Sequence, residues 1–278
     1  MSVLAYYNGK YEKSDLVNIP LTDRALFFGD GVYDAAIGRN GKIYLKDLHI
    51  NRLLSNAKRI GISNNIHAQS VSDILENLIK FSNLSEYFLY IQITRNHKFR
   101  KHSAKDCDYN ILATIDTFST PDFSVPLSLI TVEDLRYFYC DIKTLNLLPS
   151  VLAATHADAA GCQEAVFHRG TTVTECAHSN ISILKSGKLY THPNGNLILP
   201  GITRARLLCA CESLNIPYSE SAFSIDDMMQ ADEIIVSSTT KLCTKVEKVN
   251  GIAVGKKDQY TADAICKWLY DDYLDATQ

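Results

Sequence analysis

The sequence predicts an α+β fold, and three observations carry that reading. Helix-like and strand-like patterns are mixed along the whole chain. The strand connections are hairpin-rich, with Asn8-Gly9 and Asn40-Gly41 each set between strand-like runs. No GxGxxG occurs, so nothing supports a doubly wound nucleotide fold.

The elements follow in order. Val3–Tyr7 and Lys10–Lys13 flank the first Asn-Gly pair, and Val32–Gly38 and Lys42–Leu45 flank the second. A helical pattern then places Leu48, Leu53, Ala57 and Ile60 on or near one face. Val71, Ile74, Leu75, Leu78 and Ile79 mark an amphipathic helix, with Ser70 as its expected N-cap. Tyr87–Arg95 and Tyr109–Phe118 read as strands. Ser119-Thr120-Pro121-Asp122 is a turn-rich break. Beyond it come a strand at Leu127–Val132, a helix across Leu148–Ala160, and strands at Gln163–His168 and Ile181–Leu184 ahead of a Ser186-Gly187 turn. A helix starts near Thr203, another spans Ile225–Met229, Glu233–Ser237 is a buried-type strand, and a last helix covers Tyr260–Tyr273. The expected organisation is a small N-terminal domain at 1–118, a linker at 119–126 and a larger domain at 127–278.

Composition narrows the function classes. The 278 residues are 46% hydrophobic and 21% charged, ordinary for a globular protein. A net charge of −3 exerts no global pull on nucleic acid or anionic lipid. The one basic cluster, Lys98 to Lys105, reads by itself as a solvated loop. Eight cysteines form no CxxC pair and match no zinc spacing, so no metal site is expected. The start of the chain lacks the pattern of a signal peptide, and no apolar run reaches membrane-spanning length. Free thiols without an export signal predict a cytoplasmic protein.

Several residues stand out locally, each with a bland reading beside it. Lys143 lies among apolar neighbours, where a lysine either snorkels to the surface or serves chemistry. Glu175 follows a Thr-Val-Thr run and could simply cap a turn. Gly201-Ile202-Thr203-Arg204 opens a helix whose N–H groups can hold an anion, although most helix starts hold none. Ser238-Thr239-Thr240 follows the strand Glu233–Ser237. Together they offer what a pyridoxal 5'-phosphate enzyme requires: a lysine amine, an acid that keeps the pyridine nitrogen protonated, and a dense set of phosphate donors.

In sequence order, Pro20-Leu21-Thr22-Asp23-Arg24 with Phe28-Gly29-Asp30-Gly31-Val32-Tyr33, His49-Ile50-Asn51-Arg52, Asp141-Ile142-Lys143-Thr144-Leu145-Asn146, Thr172-Val173-Thr174-Glu175 with Ser179-Asn180, Leu199-Pro200-Gly201-Ile202-Thr203-Arg204 and Val236-Ser237-Ser238-Thr239-Thr240 resemble the motifs of the class IV, or fold type IV, pyridoxal-phosphate aminotransferases. The resemblance implies a two-domain α+β fold with the cofactor between a small and a large α/β domain. It implies Lys143 as Schiff-base lysine and proton shuttle, and Glu175 as partner of the pyridinium. It implies Arg52, Ile202, Thr203, Ser238 and Thr239 on the phosphate, Leu199 against the ring, and Arg136 on the side of the 3'-oxygen.

The stretch Thr94-Arg95-Asn96-His97-Lys98-Phe99-Arg100-Lys101-His102 resembles the carboxylate-trap segment of D-amino-acid transaminases. On that likeness Arg100 and His102, contributed across a homodimer interface, join Tyr33 in binding the substrate carboxylate. The expected reaction converts amino acids such as D-alanine to 2-oxo acids, with 2-oxoglutarate as acceptor. Branched-chain L-amino-acid transamination and aminodeoxychorismate lyase chemistry are the alternatives within the family. A silent cofactor-binding protein is the alternative outside it, and the carboxylate trap argues against that.

The departures are specific. Cys176, Ala177 and His178 stand where the family often has Gly and small hydroxyl residues. Asn96 and Phe99 replace a Gly and a Pro, and Ala35 and Ala36 stand where larger β-branched residues are common. His178 sets a titratable group beside the cofactor segment; it either points away or alters the surroundings of the groups that touch the cofactor.

Overall fold

The computed structural model describes residues 3–62, 65–97, 100–105, 107–120 and 122–278. Lys98 and Phe99 of the basic segment and Pro121 of the turn-rich break lie outside the described residues. The chain divides into two compact units: Met1–Thr120 with Ile142–Asn146 and Asp275–Gln278, and Pro121–Asp141 with Leu147–Leu274.

In the first unit both Asn-Gly pairs make hairpins. Asn8 and Gly9 take φ of 42° and 99° between β1 (Leu4–Tyr7) and β2 (Lys10–Lys13), the left-handed pair that a tight hairpin turn requires. A single helical turn, α1 (Ala25–Phe28), precedes β3 (Gly31–Arg39), which turns at Asn40-Gly41 into β4 (Lys42–Ile43). That strand is shorter than expected because Leu45 takes a left-handed φ of 53° as the N-cap of α2 (Lys46–Arg59).

On α2 the buried apolar positions are Ile50, Leu53 and Ala57, while Leu48 is exposed. Spacings of three and four residues share a helix face, and the five from Leu48 to Leu53 do not. The next helix, α3 (Ala68–Ser82), buries Val71, Ile74, Leu75, Leu78 and Ile79, the face its periodicity predicts. Its N-cap is His67 rather than Ser70, since Ala68 and Gln69 are good enough helix formers to extend the first turn. With β5 (Glu86–Asn96) and β6 (Asp108–Thr117) the unit completes a six-stranded antiparallel sheet, ordered β2-β1-β6-β5-β3-β4. Val32, Leu53, Leu78, Leu89, Ile93 and Ile115 lie in the core that forms between this sheet and the helices.

The second unit contains β7 (Leu127–Glu133), α4 (Leu148–Ala159), β8 (Glu164–Arg169), β9 (Thr172–Cys176), β10 (Asn180–Lys185), β11 (Lys188–Thr191), α5 (Ile202–Ser213), β12 (Tyr218–Glu220), α6 (Ile225–Gln230), β13 (Glu233–Ser238), β14 (Leu242–Val249), β15 (Ile252–Ala253) and α7 (Gln259–Ala276). Its nine-stranded sheet runs β12-β11-β10-β13-β14-β7-β8-β9, with β15 added on β14. The β14-β7, β7-β8 and β11-β12 pairs are parallel and the rest antiparallel, so the sheet is mixed. Strands β9, β11, β12, β14 and β15 escape the sequence reading. In β14 the charged Lys245, Glu247 and Lys248 break up the apolar run, and only pairing with β13 and β7 settles it as a strand. The expected helix at Ile225–Met229 is present, closed by a reciprocal capping box between Ser224 and Asp227.

The α+β class stands. By sequence position Lys143 belongs to the stretch 127–278, yet Ile142–Asn146 packs with the first unit, because its backbone bonds to β3. Among the described residues, no helix is long and apolar enough to cross a membrane, and no group of three or more His, Cys, Asp or Glu is placed to hold a metal ion.

Candidate active site

The Lys143 segment lies along the start of β3. Tyr33 N–H donates to the Lys143 carbonyl at 2.9 Å, and Leu145 N–H donates to the Gly31 carbonyl at 3.1 Å. Asn146 adds a side-chain bond to the Gly29 carbonyl at 2.9 Å. This approach needs glycine at position 31: a Cβ there would stand 2.8 Å from both Leu145 Cδ1 and the Ile93 carbonyl oxygen. The Lys143 Nζ sits 4.4 Å from the centre of the Tyr33 ring, and Tyr33 stacks on Tyr90 at 5.5 Å. The backbone is therefore held while the amine, among the described residues, has only an aromatic face beside it.

Arg52 is not a lone cation. The i, i+3 spacing puts His49 and Arg52 on one face of α2, and both meet the buried Asp34 of β3. Arg52 donates from Nε and Nη2 at 2.8 Å each, and His49 Nδ1 lies 2.8 Å from the same carboxylate. Burial alone would raise the Asp34 pKa. The Arg52 guanidinium and the His49 bond outweigh it and hold the carboxyl well below the usual range. The ion pair thus fixes the orientation of the guanidinium.

Arg100 and His102 gather on α1. The Arg100 guanidinium lies 4.9 Å from the Phe28 ring and 5.8 Å from Phe27, and the His102 ring is 5.3 Å from Phe28. Arg24 holds this stretch through the carbonyls of Lys101 and, at 3.1 Å, His102. Among the described residues no hydrogen bond, ion pair or ring contact joins Arg100 or His102 to Tyr33.

In the second unit Glu175 is the last residue but one of β9, buried, with its carboxylate bonded on both oxygens. Arg136 donates from Nη1 to Oε1, while Asn180 Nδ2 and the Leu199 N–H donate to Oε2 at 3.0 Å each. Asn180 also donates to the Leu199 carbonyl at 3.0 Å, which ties the half-buried Leu199 to the same centre. A Cβ on Gly201 would stand 1.9 Å from Asn180 Oδ1, so only glycine fits there.

Arg136, expected on the 3'-oxygen side of the cofactor, is committed to carboxylates. It donates to Asp134 from Nε and Nη2 at 2.9 Å and to the Leu197 carbonyl at 3.2 Å, besides its bond to Glu175. Asp134 also receives Arg169 and Thr174 at 3.1 Å. Burial would raise the Asp134 pKa, but the hydrogen bonds and charge of Arg136, with Arg169, bring it below the ordinary value. Asp34, Asp134 and Asn180 were not predicted as site residues. Only Asn180 left a trace in the sequence, through the Ser179-Asn180 pair.

Ile202 and Thr203 open α5, which packs on β13. The N-cap is Gly201, which has no side chain to bond the N–H groups of this first turn. Arg204 turns inward, bonding Thr191 at 3.1 Å, the His192 carbonyl at 2.8 Å and Glu220 at 2.7 Å. Ser238 closes β13, and its hydroxyl accepts the Lys241 N–H at 3.1 Å across the turn that carries Thr239. A helix start with glycine at its N-cap, a Ser-Thr turn at the end of the strand that helix packs on, and a buried carboxylate locked by N–H donors are the donor set that a phosphate and a protonated pyridine need. The residues present fit pyridoxal 5'-phosphate.

A sequence profile described as Amino-transferase class IV matches residues 31–249, and the chain belongs to that family. The family's enzymes depend on pyridoxal 5'-phosphate. The chain is 36% identical over 254 residues to a D-alanine aminotransferase of Staphylococcus haemolyticus, covering 90% of each chain. It is 36% identical over 263 residues to the enzyme of the same name from Listeria monocytogenes serotype 4b, covering 92% of this chain and 91% of that one. The fold matches the solved branched-chain amino acid aminotransferase from Escherichia coli, at a TM-score of 0.90 and 20% identity over 100% of this chain and 96% of the other.

Proposed function

We propose that this aminotransferase moves amino groups from D-amino acids, D-alanine among them, to 2-oxo acids such as 2-oxoglutarate, as a cytoplasmic homodimer that binds pyridoxal 5'-phosphate. The observation that carries the chemical reading is the Glu175 carboxylate, buried and bonded by Arg136, Asn180 and Leu199. The choice of D-amino acids is supported by likeness to D-alanine aminotransferases over nine-tenths of both chains.

When bound, the cofactor supplies an aldehyde that joins amines and a protonated ring that draws electrons from Cα. Lys143 would contribute its Nζ as the amine that anchors the cofactor and as the base and acid that moves the substrate's Cα proton. Its tether suits that task, because bonds to β3 hold the backbone from which the amine extends. Glu175 keeps a proton on the pyridine nitrogen, and Arg136 and Asn180 stop the carboxylate from turning away. Arg52, the N–H groups of Ile202 and Thr203, and the hydroxyls of Ser238 and Thr239 hold the phosphate, with Leu199 against the ring. Tyr33 receives the substrate carboxylate together with Arg100 and His102 of the second copy.

The test is a half-reaction series on the purified protein. D-alanine is expected to discharge the cofactor's absorbance band faster than L-leucine, with 2-oxoglutarate restoring it. Faster reaction with L-leucine would assign the branched-chain activity instead. Pyruvate release from aminodeoxychorismate without an acceptor would assign the lyase.

A further inference from the structure

The residues after Glu175 depart from the family pattern, and the structure gives one of them a partner on each side. His178 stands in the turn between β9 and β10. Its Nδ1 lies 2.9 Å from Oε1 of Glu164, a fully buried carboxylate at the start of β8. Its Nε2 lies 3.0 Å from Lys241 Nζ, in the turn between β13 and β14. An ammonium can only donate, so Nε2 must accept and Nδ1 must carry the proton given to Glu164. One tautomer of a neutral ring satisfies both neighbours.

Glu164 is closed on its other oxygen by the Ser179 hydroxyl at 2.8 Å, with Lys241 Nζ at 3.7 Å. Burial would raise its pKa, but the His178 hydrogen bond, the Lys241 charge and the Ser179 hydroxyl bring it below the ordinary value. The buried Cys176 thiol beside them is pushed far above its usual range by burial and stays neutral. It adds no charge to the cluster.

The two turns are already neighbours. Strands β10 and β13 pair with Asn180 opposite Ser237, so the residues after Glu175 and those after Ser238 leave the sheet side by side. The first turn ends at Asn180, which holds Glu175. The second contains Thr239 and closes on Ser238 through the Lys241 N–H. Backbone pairing stops at the ends of the strands, and there the side chains of Glu164, His178 and Lys241 take over.

We infer that His178 is a positioning residue that clamps the pyridine-side turn 176–180 to the phosphate-side turn 238–241, through Glu164 on one side and Lys241 on the other. The inference builds on the proposed roles of Glu175, Ser238 and Thr239. The clamp keeps the pyridine and phosphate donors at a constant separation, and with it the register in which a rigid cofactor can be held. The ring is 48% exposed, so its removal opens no cavity, and a loss of order must come from the lost bonds.

The test compares the holoenzyme with His178→Ala and His178→Gln. Glutamine can donate to Glu164 through its amide nitrogen and accept from Lys241 through its oxygen, so it can replace the clamp. Hydrogen exchange is followed in peptides covering 176–182 and 238–244, alongside cofactor release into phosphate buffer. His178→Ala is expected to raise exchange in both peptides about five- to tenfold, as the loss of charge-assisted bonds allows, and to speed release. His178→Gln is expected to return both toward wild type. Unchanged exchange at 238–244 in His178→Ala would overturn the clamp, and so would equal loosening by Gln and Ala. Exchange that rises in both turns while release stays constant would uphold the clamp and remove Ser238 and Thr239 from the phosphate.

Discussion

Lys143 and Glu175 are held in opposite ways. The lysine is fixed by its backbone, through Tyr33 N–H on its own carbonyl and neighbouring bonds to Gly31 and Gly29, while its amine meets only the face of Tyr33 among the described residues. The glutamate is fixed at its functional end, by a guanidinium, an amide and a backbone N–H. On the roles proposed above, a group that shuttles a proton must swing, and a group that sets the charge of a ring must not. The first unit therefore gives its residue a stiff base and a loose tip, and the second gives its residue a locked tip. Arg136, which locks the tip, is itself paired, since it also bonds Asp134, and Asp134 bonds Arg169. That chain spreads the cost of burying charge over several partners.

The sharpest way to break the contrast is Lys143→Ala. Turnover is expected to fall by roughly three decades or more, and borohydride reduction should leave no label on the peptide containing position 143. Stability should change by no more than about 1 kcal/mol, because only an aromatic contact is lost. A large drop in melting temperature would mean that the amine is structural. Glu175→Gln should behave differently, losing about two decades of rate and also about 1–3 kcal/mol of stability, as Arg136 loses a buried charged partner. A Gln variant that melts like wild type would show that the locked carboxylate is a description and not a constraint.

Arg100 extends the loose-tip side, since its guanidinium rests on Phe27 and Phe28 with no carboxylate partner among the described residues. Arg100→Ala should lower kcat/KM for D-alanine by about one to two decades, the worth of a charge-assisted pair. The loss should be smaller for an amine donor with no carboxylate. Mixing this variant with Lys143→Ala should restore some activity through hybrid dimers, read by assay after proven subunit exchange. No recovery would place the trap within one chain.

The smallest effect is expected at Asp34, a locked tip in the first unit. Its folded carboxyl lies well below the unfolded value of about 4, so as pH falls the unfolded chain takes up its proton first. The stability contributed by the Arg52 and His49 pairing is complete above about pH 5 and fades as pH drops below about 4. Asp34→Asn should cost about 2 kcal/mol at neutral pH, and the gap in melting temperature from wild type should narrow in acid. A constant gap from pH 7 to pH 3 would show that the asparagine acts through packing.

What the sequence determined by itself is local or strictly ordered. The Asn-Gly hairpins follow from left-handed dihedrals at two adjacent residues, and the buried face of α3 from helical spacing. The identities of Lys143, Glu175 and Arg52 as candidates came from motifs met in sequence order. The tertiary structure decided everything that depends on distant partners. It brought Ile142–Asn146 onto β3, turned Arg136 onto Glu175, gave Arg52 its Asp34, and closed His178 between Glu164 and Lys241. Strand β14 became legible only once β13 and β7 lay beside it. The physical reason is range. Dihedral preference and apolar periodicity act over a few residues and are written where they act. A buried ion pair is selected by which charges the packed chain brings within about 3 Å of each other, and residues far apart in sequence carry no local mark of that choice.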